Sequence, residues 1–226
     1  MRKERSFMLR VIKKDLIIFD LDGTLVDSSG DIAHAANRTL REMGFPEMTV
    51  SGIKANVGWG VRSLLEKVMP GESAERIDEA RRIFLKYYSE NLVDETRFYP
   101  GVEDTVRHFH VSGKKLAIAT NKQLVLTERI LDELGLKSYF SVLVGGDSVP
   151  NKKPHPEPLF FIMKSLGIES VDTVFVGDSA IDCESGASAG VFTIGAAYGF
   201  RGKAELEKAG CGMLIESFSE LESIII

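Results

Sequence analysis

The sequence predicts an α/β protein: a doubly wound parallel sheet with a small helical cap domain inserted after its first strand. Three observations carry this expectation. The stretch Asp15-Leu16-Ile17-Ile18-Phe19-Asp20-Leu21-Asp22-Gly23-Thr24 is a short apolar run that ends abruptly in two carboxylates. From Val102 onward, strand-like and helix-like segments alternate with short connections, the pattern of a parallel sheet covered by helices. Between them runs a segment from Asp27 to Lys114, far longer than the ~10–12 residues that a helical crossover needs.

An apolar run without polar alternation reads as a strand buried on both faces. If strand geometry persists, Asp20 and Asp22 point to the same side, and Gly23 lets the chain leave the sheet. Two unit charges ~4 Å apart repel by roughly 4 kcal/mol at an effective dielectric near 20. Such a pair therefore calls for a proton or a cation. The plain alternative is a strand-end turn with solvated acids, because Asp-Gly is a common turn pair.

Asp27-Ser28-Ser29-Gly30-Asp31 is rich in capping residues and opens a helical pattern through Ile32, Ala35, Ala36, Thr39, Leu40 and Met43, which Gly44 stops. The Gly-bracketed segment Val57 to Leu65 follows, and the longest helical pattern runs from near Ser73 to Leu92. Nothing between Gly30 and Thr96 looks like a strand. Residues 29–96 are therefore expected to form the helical cap, and residues 1–28 with 97–226 a Rossmann-like core. The alternative is a pair of long surface helices packed on the sheet.

After the turn at Pro100-Gly101, Val102 to Val111 reads as helix and Lys115 to Asn121 as strand. Leu124 to Leu134 is helical, Ser141 to Asp147 is the next strand, and a proline-punctuated loop leads to a helix over Leu159 to Leu166. Thr173 to Asp178 is a strand, Ile181 to Ala189 a small-residue helix, and Val191 to Gly195 the last central strand.

The 226 residues are 44% hydrophobic and 27% charged, as in soluble globular proteins. A formal charge of −5 argues against a nucleic-acid partner, whose electrostatic footprint would be basic. No apolar run approaches the ~18 residues of a membrane span. Cys183 and Cys211 have no metal-like spacing and are expected to be separate buried residues in a reducing compartment. The basic opening Met1 to Met8 is followed by no apolar signal segment. The first dozen residues read as a solvated tail, and the protein as cytoplasmic.

In open parallel sheets, ligands bind beyond the carboxyl ends of the strands. Those ends carry Asp20 and Asp22, then Thr120 and Asn121, then Gly145-Gly146-Asp147, then Asp178 with Asp182 one helical turn later. Such a rim suits phosphoryl transfer to or from a small phosphorylated metabolite. Several carboxylates among few basic groups call for a hard cation, and oxygen ligands suit Mg²⁺. Thr120 and Asn121 offer a hydroxyl, an amide and backbone N–H groups to phosphate. Lys153, or its neighbour Lys152, supplies positive charge on the loop. One carboxylate could attack phosphorus, and the next could protonate the leaving oxygen and later deprotonate water. Asp147 is expected to meet either loop amides or the metal.

Asp20-Leu21-Asp22-Gly23-Thr24, with Thr120, Lys153 and Gly177-Asp178-Ser179-Ala180-Ile181-Asp182, resembles the haloacid dehalogenase superfamily of Mg²⁺-dependent phosphohydrolases. The resemblance implies Asp20 as nucleophile and Asp22 as acid/base. It implies Mg²⁺ held by the Asp20 side chain, the Asp22 backbone carbonyl and the Asp178 side chain, with Asp182 supporting them. Thr120 and Asn121 would hold the phosphate, and Lys153 would fix phosphate and nucleophile together. The segments Thr24 to Ser28, Gly145 to Ser148, Lys153 to Pro156 and Ala197 to Phe200 are most similar to the bacterial phosphoglycolate phosphatases, which implies 2-phosphoglycolate as substrate. Pyrophosphatases, sugar-phosphate phosphatases and phosphosugar mutases share the same core and remain alternatives. Arg62, in Gly58-Trp59-Gly60-Val61-Arg62, is expected to pair with a carboxylate at the non-reacting end of the substrate. Its alternative is a water-facing place at the start of a helix.

Overall fold

The computed structural model describes residues 11–226. Residues 1–10 of the expected solvated tail lie outside the described residues. Ile12 is not part of such a tail, because its N–H donates to the Ile224 carbonyl at 2.7 Å and its own carbonyl accepts from Ile226 at 2.9 Å.

The chain opens with β1 (Leu16–Phe19) and β2 (Val26–Asp27). Four helices follow, α1 (Ser29–Glu42), α2 (Val50–Lys54), α3 (Val61–Val68) and α4 (Ala74–Glu90). The chain returns through β3 (Arg97–Phe98) and continues with α5 (Val102–Val111), β4 (Lys115–Ala119), α6 (Leu124–Glu133), β5 (Val142–Val144) and α7 (Glu157–Leu166). It ends with β6 (Thr173–Gly177), α8 (Ala180–Ser188), β7 (Phe192–Ala196), α9 (Lys203–Ala209), β8 (Met213–Ile215) and α10 (Leu221–Ile224).

Six strands form one parallel sheet in the order β5-β4-β1-β6-β7-β8. β1 sits in the interior because both of its faces are apolar. Ile17 and Phe19 join the core on one side, while Leu16 and Ile18 pack with Phe175, Leu159 and Ile162 on the other. Phe19 lies opposite Ile118 on β4 and Val176 on β6. Asp20, Thr120 and Asp178 thus leave the three central strands at nearly one level. Strand order reverses at β1, the place where such sheets open a crevice.

β2 and β3 pair antiparallel, Val26 opposite Phe98 and Asp27 opposite Arg97. The helices α1 to α4 therefore leave and return to the sheet at a single place. Asp31, buried near the start of α1, accepts hydrogen bonds from the Thr96 N–H at 2.8 Å and hydroxyl at 2.7 Å, and from the Glu95 N–H. α1 packs on α2 and α4, and α3 packs on α4. No strand lies between β2 and β3 among the described residues.

The expected last central strand is β7, and beyond it β8 adds an edge strand of three residues after Gly210-Cys211-Gly212, too short to carry a periodic signal. One expectation needs correction. Cys183 and Cys211 are not separate thiols. Packing of α8 beside the segment before β8 brings their Cα atoms to 5.1 Å, and the two are joined by a disulfide. No helix of the described residues is long and apolar enough to cross a membrane.

Candidate active site

Asp20 is the first residue beyond β1, and its N–H still bonds the Val176 carbonyl on β6 at 2.9 Å. Its carboxylate is buried, with Lys153 Nζ 2.9 Å from Oδ1. Lys153 is only 2% exposed and reaches Asp182 Oδ1 at 2.7 Å as well. Asp182 can stand there because Gly177 has no side chain, as a β-carbon would overlap its carboxylate. Its second oxygen accepts from the Ser179 N–H and hydroxyl at 3.1 and 2.6 Å, a capping box that starts α8. Burial pushes the Asp20 carboxyl up to about 6, with Lys153 pulling it down and Asp182 pushing it up. Burial would lower the Lys153 ammonium, but Asp182 and Asp20 together raise it.

Asp22 lines the same cavity as Asp20, Thr120 and Asp178. Its Oδ1 accepts from the Ser28 hydroxyl and lies 2.9 Å from Lys122 Nζ. Ser28 is free for this contact because Asp27 Oδ1, at 3.0 and 2.6 Å, takes the Ser29 N–H and hydroxyl at the start of α1. No hydrogen bond from the described residues reaches Asp22 Oδ2, which is left for a ligand. Lys122 also donates to the hydroxyl of Tyr88 on α4. Its pKa is raised, since Asp22 and Tyr88 outweigh the opposing effect of burial. Burial chiefly pushes the Tyr88 hydroxyl up to about 12.

Thr120 is buried at the cavity wall, and its hydroxyl accepts the Lys122 N–H at 3.3 Å. Asn121 is placed differently from the expectation of an amide aimed at phosphate. Its Nδ2 donates to the Gly58 carbonyl at 2.9 Å and the Lys153 carbonyl at 3.0 Å, which uses both N–H bonds. As a donor to phosphate its backbone N–H is left, with no acceptor among the described residues, while its Oδ1 is buried without a partner. Lys152 drops out as the site lysine because its Nζ donates to the Trp59 carbonyl at 2.6 Å. Asp147 is settled by a loop amide, accepting from the Leu124 N–H at 2.8 Å at the start of α6.

Arg62 requires a correction. It is exposed near the start of α3, and its guanidinium binds Glu66 at 3.0 Å and Asp78 on α4. It does not line the cavity. Two carboxylates on the outer faces of α3 and α4 hold it away, whereas Gly58, Gly60 and Val61 of the same segment do face the cavity. Sequence reasoning missed three residues here: Lys122, Tyr88 and Arg201. Lys122 follows the Thr120-Asn121 pair directly, a usable signal. Tyr88 lay hidden in the apolar periodicity of α4. Arg201 donates to the carbonyls of Ala55 and Val57, a contact with no sequence cue.

Oxygens of Asp20, Asp178 and Asp182 lie within 4.8 Å of one another. Both oxygens of Asp182 are engaged by Lys153 and Ser179, so Asp20 and Asp178 are the side chains left to hold an ion. Burial pushes the Asp178 carboxyl well above its ordinary range, and Asp182 and Asp20 add to the effect. Three buried carboxylates face one ammonium, and an oxygen-only donor set of this kind fits a hard divalent cation. Asp178 is cradled by two glycines, since a β-carbon at Gly23 or Gly199 would overlap it. Gly199→Ala is therefore expected to displace Asp178 and weaken divalent-cation affinity about 10–100-fold, the range for residues that support a ligand. Calorimetric titration with the ion checks this, and unchanged affinity would remove Asp178 from the ion's ligands.

The family model described as haloacid dehalogenase-like hydrolase matches residues 17–196. A phosphoglycolate phosphatase from Aquifex aeolicus (strain VF5) is 42% identical over 185 residues, covering 82% of this chain and 85% of that relative. A phosphoglycolate phosphatase from Colwellia psychrerythraea is 34% identical over 220 residues, covering 94% and 97%. The crystal structure of a predicted phosphoglycolate phosphatase from Haemophilus somnus 129PT superposes with a TM-score of 0.87 at 29% identity, covering 93% of this chain and 97% of that one. The strand-end carboxylates, the buried lysine and these likenesses converge: the chain belongs to the haloacid dehalogenase-like hydrolases.

Proposed function

We propose that the chain is a Mg²⁺-dependent phosphatase that hydrolyses a small phosphomonoester through an aspartyl-phosphate on Asp20. The names of its relatives favour 2-phosphoglycolate as the substrate. The observation that carries the reading is the placement of Asp20, buried, held through one oxygen by Lys153 and facing a cavity shared with Asp22, Thr120 and Asp178.

In this reading the Asp20 and Asp178 side chains and the Asp22 backbone carbonyl hold Mg²⁺, which when bound neutralises charge on the phosphoryl oxygens. Lys153 adds a second positive charge beside them and fixes Asp20 Oδ1. The Thr120 hydroxyl and the Asn121 backbone N–H hold phosphate oxygens. Asp20 attacks phosphorus as the ester P–O bond breaks, and Asp22 gives a proton to the leaving oxygen. Asp22 then takes a proton from a water molecule that attacks the same phosphorus. The Asp20–phosphorus bond breaks, releasing inorganic phosphate and restoring the carboxylate. Ser28 and Lys122 hold Asp22 Oδ1, so that Oδ2 faces the transfer.

Residues 29–96 act as the cap in this reading, with residues 1–28 and 97–226 as the core. Asn121, Lys152 and Arg201 of the core grip the cap segment 55–59 over the cavity. The test is a panel of 2-phosphoglycolate, pyrophosphate, glucose phosphates and an aryl phosphate, each with and without Mg²⁺. Release of one phosphate per 2-phosphoglycolate, dependent on Mg²⁺ and fastest in the panel, is the expected result. Transfer of phosphate to a second hydroxyl without release would replace the hydrolase by a mutase.

A further inference from the structure

The positive charges around the cavity are almost all committed elsewhere. Lys153 lies between Asp20 and Asp182, Arg201 is on the Ala55 and Val57 carbonyls, and Arg62 is on Glu66 and Asp78. Lys122 differs. It lines the cavity at only 9% exposure, with its Nζ 2.9 Å from Asp22 Oδ1, hydrogen-bonded to the Tyr88 hydroxyl and 4.6 Å from the Tyr88 ring centre. An ammonium carries three N–H donors. Asp22 and Tyr88 take two, and no third acceptor reaches it among the described residues. The same cavity is lined in part by the apolar side chains of Ile32, Leu64, Phe84 and Leu126.

A buried donor left over selects strongly for the ligand group that completes it, because a ligand without that group leaves the donor buried and unpaired. Asp22 Oδ1 already serves Ser28 and Lys122, so the acceptor has to come from the ligand. The space is also narrow, about 60 Å³ open to the centre of a water molecule, which keeps the chain between phosphate and anion short. We propose that Lys122 is the specificity-determining residue of this site, binding a carboxylate at the non-reacting end of the substrate while Tyr88 and Asp22 hold its ammonium in place. The inference rests on the phosphatase reading and narrows its substrates to short phosphorylated carboxylic acids. It moves the recognition expected of Arg62 to the contact between Tyr88 of α4 and Lys122 of the core.

The experiment compares 2-phosphoglycolate with 2-hydroxyethyl phosphate, which has the same length but a hydroxymethyl group in place of the carboxylate, in Mg²⁺. The wild-type protein is expected to favour the acid by about 10²-fold or more in kcat/KM. Lys122→Met should bring that ratio to within a few-fold of one: both substrates lose rate as Asp22 loses a contact, and the acid loses about 10²-fold more. A wild-type ratio near one overturns the proposal without any variant. Equal losses on both substrates in Lys122→Met also overturn it, because Lys122 would then act only by positioning Asp22. If Lys122→Met does not fold, Tyr88→Phe reads the same point: the ratio falls several-fold if Tyr88 aims Lys122 at the substrate, and an unchanged ratio overturns the proposal. Phosphate release from neither compound, nor from p-nitrophenyl phosphate, would sink the phosphatase reading itself and this inference with it.

Discussion

Asp20→Asn is expected to lower kcat by about 10⁴-fold or more, the scale seen when a nucleophile is removed from a covalent mechanism. The fold should tolerate the change. Asparagine keeps the size of the side chain and still offers an oxygen to Lys153, 2.9 Å away in the native site. It also removes one negative charge from a group that burial has already pushed up to about 6, so the metal-free variant should melt no lower than the wild type. Steady-state kinetics and a melting curve in chelator check the two halves. A variant that retained more than about a tenth of kcat would end Asp20's role as nucleophile, because asparagine keeps the contact with Lys153 but lacks the carboxylate that attacks phosphorus.

Lys153→Met should show the largest loss of stability. Removing one partner of a buried ion group leaves the others uncompensated, at about 3–5 kcal/mol. For a chain of this size that is a drop in Tm of roughly 6–20 °C. Asp20, Asp178 and Asp182 would remain clustered with no ammonium among them. A divalent cation should therefore restore more stability to the variant than it adds to the wild type, since only the variant lacks an internal counter-charge. Urea unfolding with chelator and with saturating Mg²⁺ measures both. Equal stabilisation of the two proteins would show that the ion and Lys153 do not share the same carboxylates. Activity should fall with stability but should not return with the ion, because the positive charge beside Asp20 Oδ1 is gone.

What the sequence discloses here is what one strand and the turn after it can encode. The apolar run Leu16 to Phe19 shows a strand buried on both faces, because parallel strands need no polar side. The groups on the rim can be read because strand ends in such sheets share an edge, and Phe19 does lie opposite Ile118 and Val176. Helix α4 is visible from its apolar spacing. That same spacing cannot say that Tyr88 ends on Lys122, nor that Arg62 turns to Asp78. Both depend on the angle at which one helix lies on its neighbour, which periodicity leaves free. Cys183 and Cys211 fail for a related reason. Only the packing of α8 beside the segment before β8 brings two thiols 28 residues apart within bonding range. Strand β8 was missed because three residues at an edge leave no pattern to count.

The contacts between the core and residues 55–59 have an evolutionary implication. Asn121, Lys152 and Arg201 take hold of Gly58, Trp59, Ala55 and Val57 through main-chain carbonyls and not through side chains. Every amino acid carries that carbonyl. Mutation can therefore rewrite the lining of this segment while docking persists, so long as Gly58 and Gly60 keep their positive φ angles. A lineage could in this way explore new substrates without first rebuilding the contacts that hold this segment against the core.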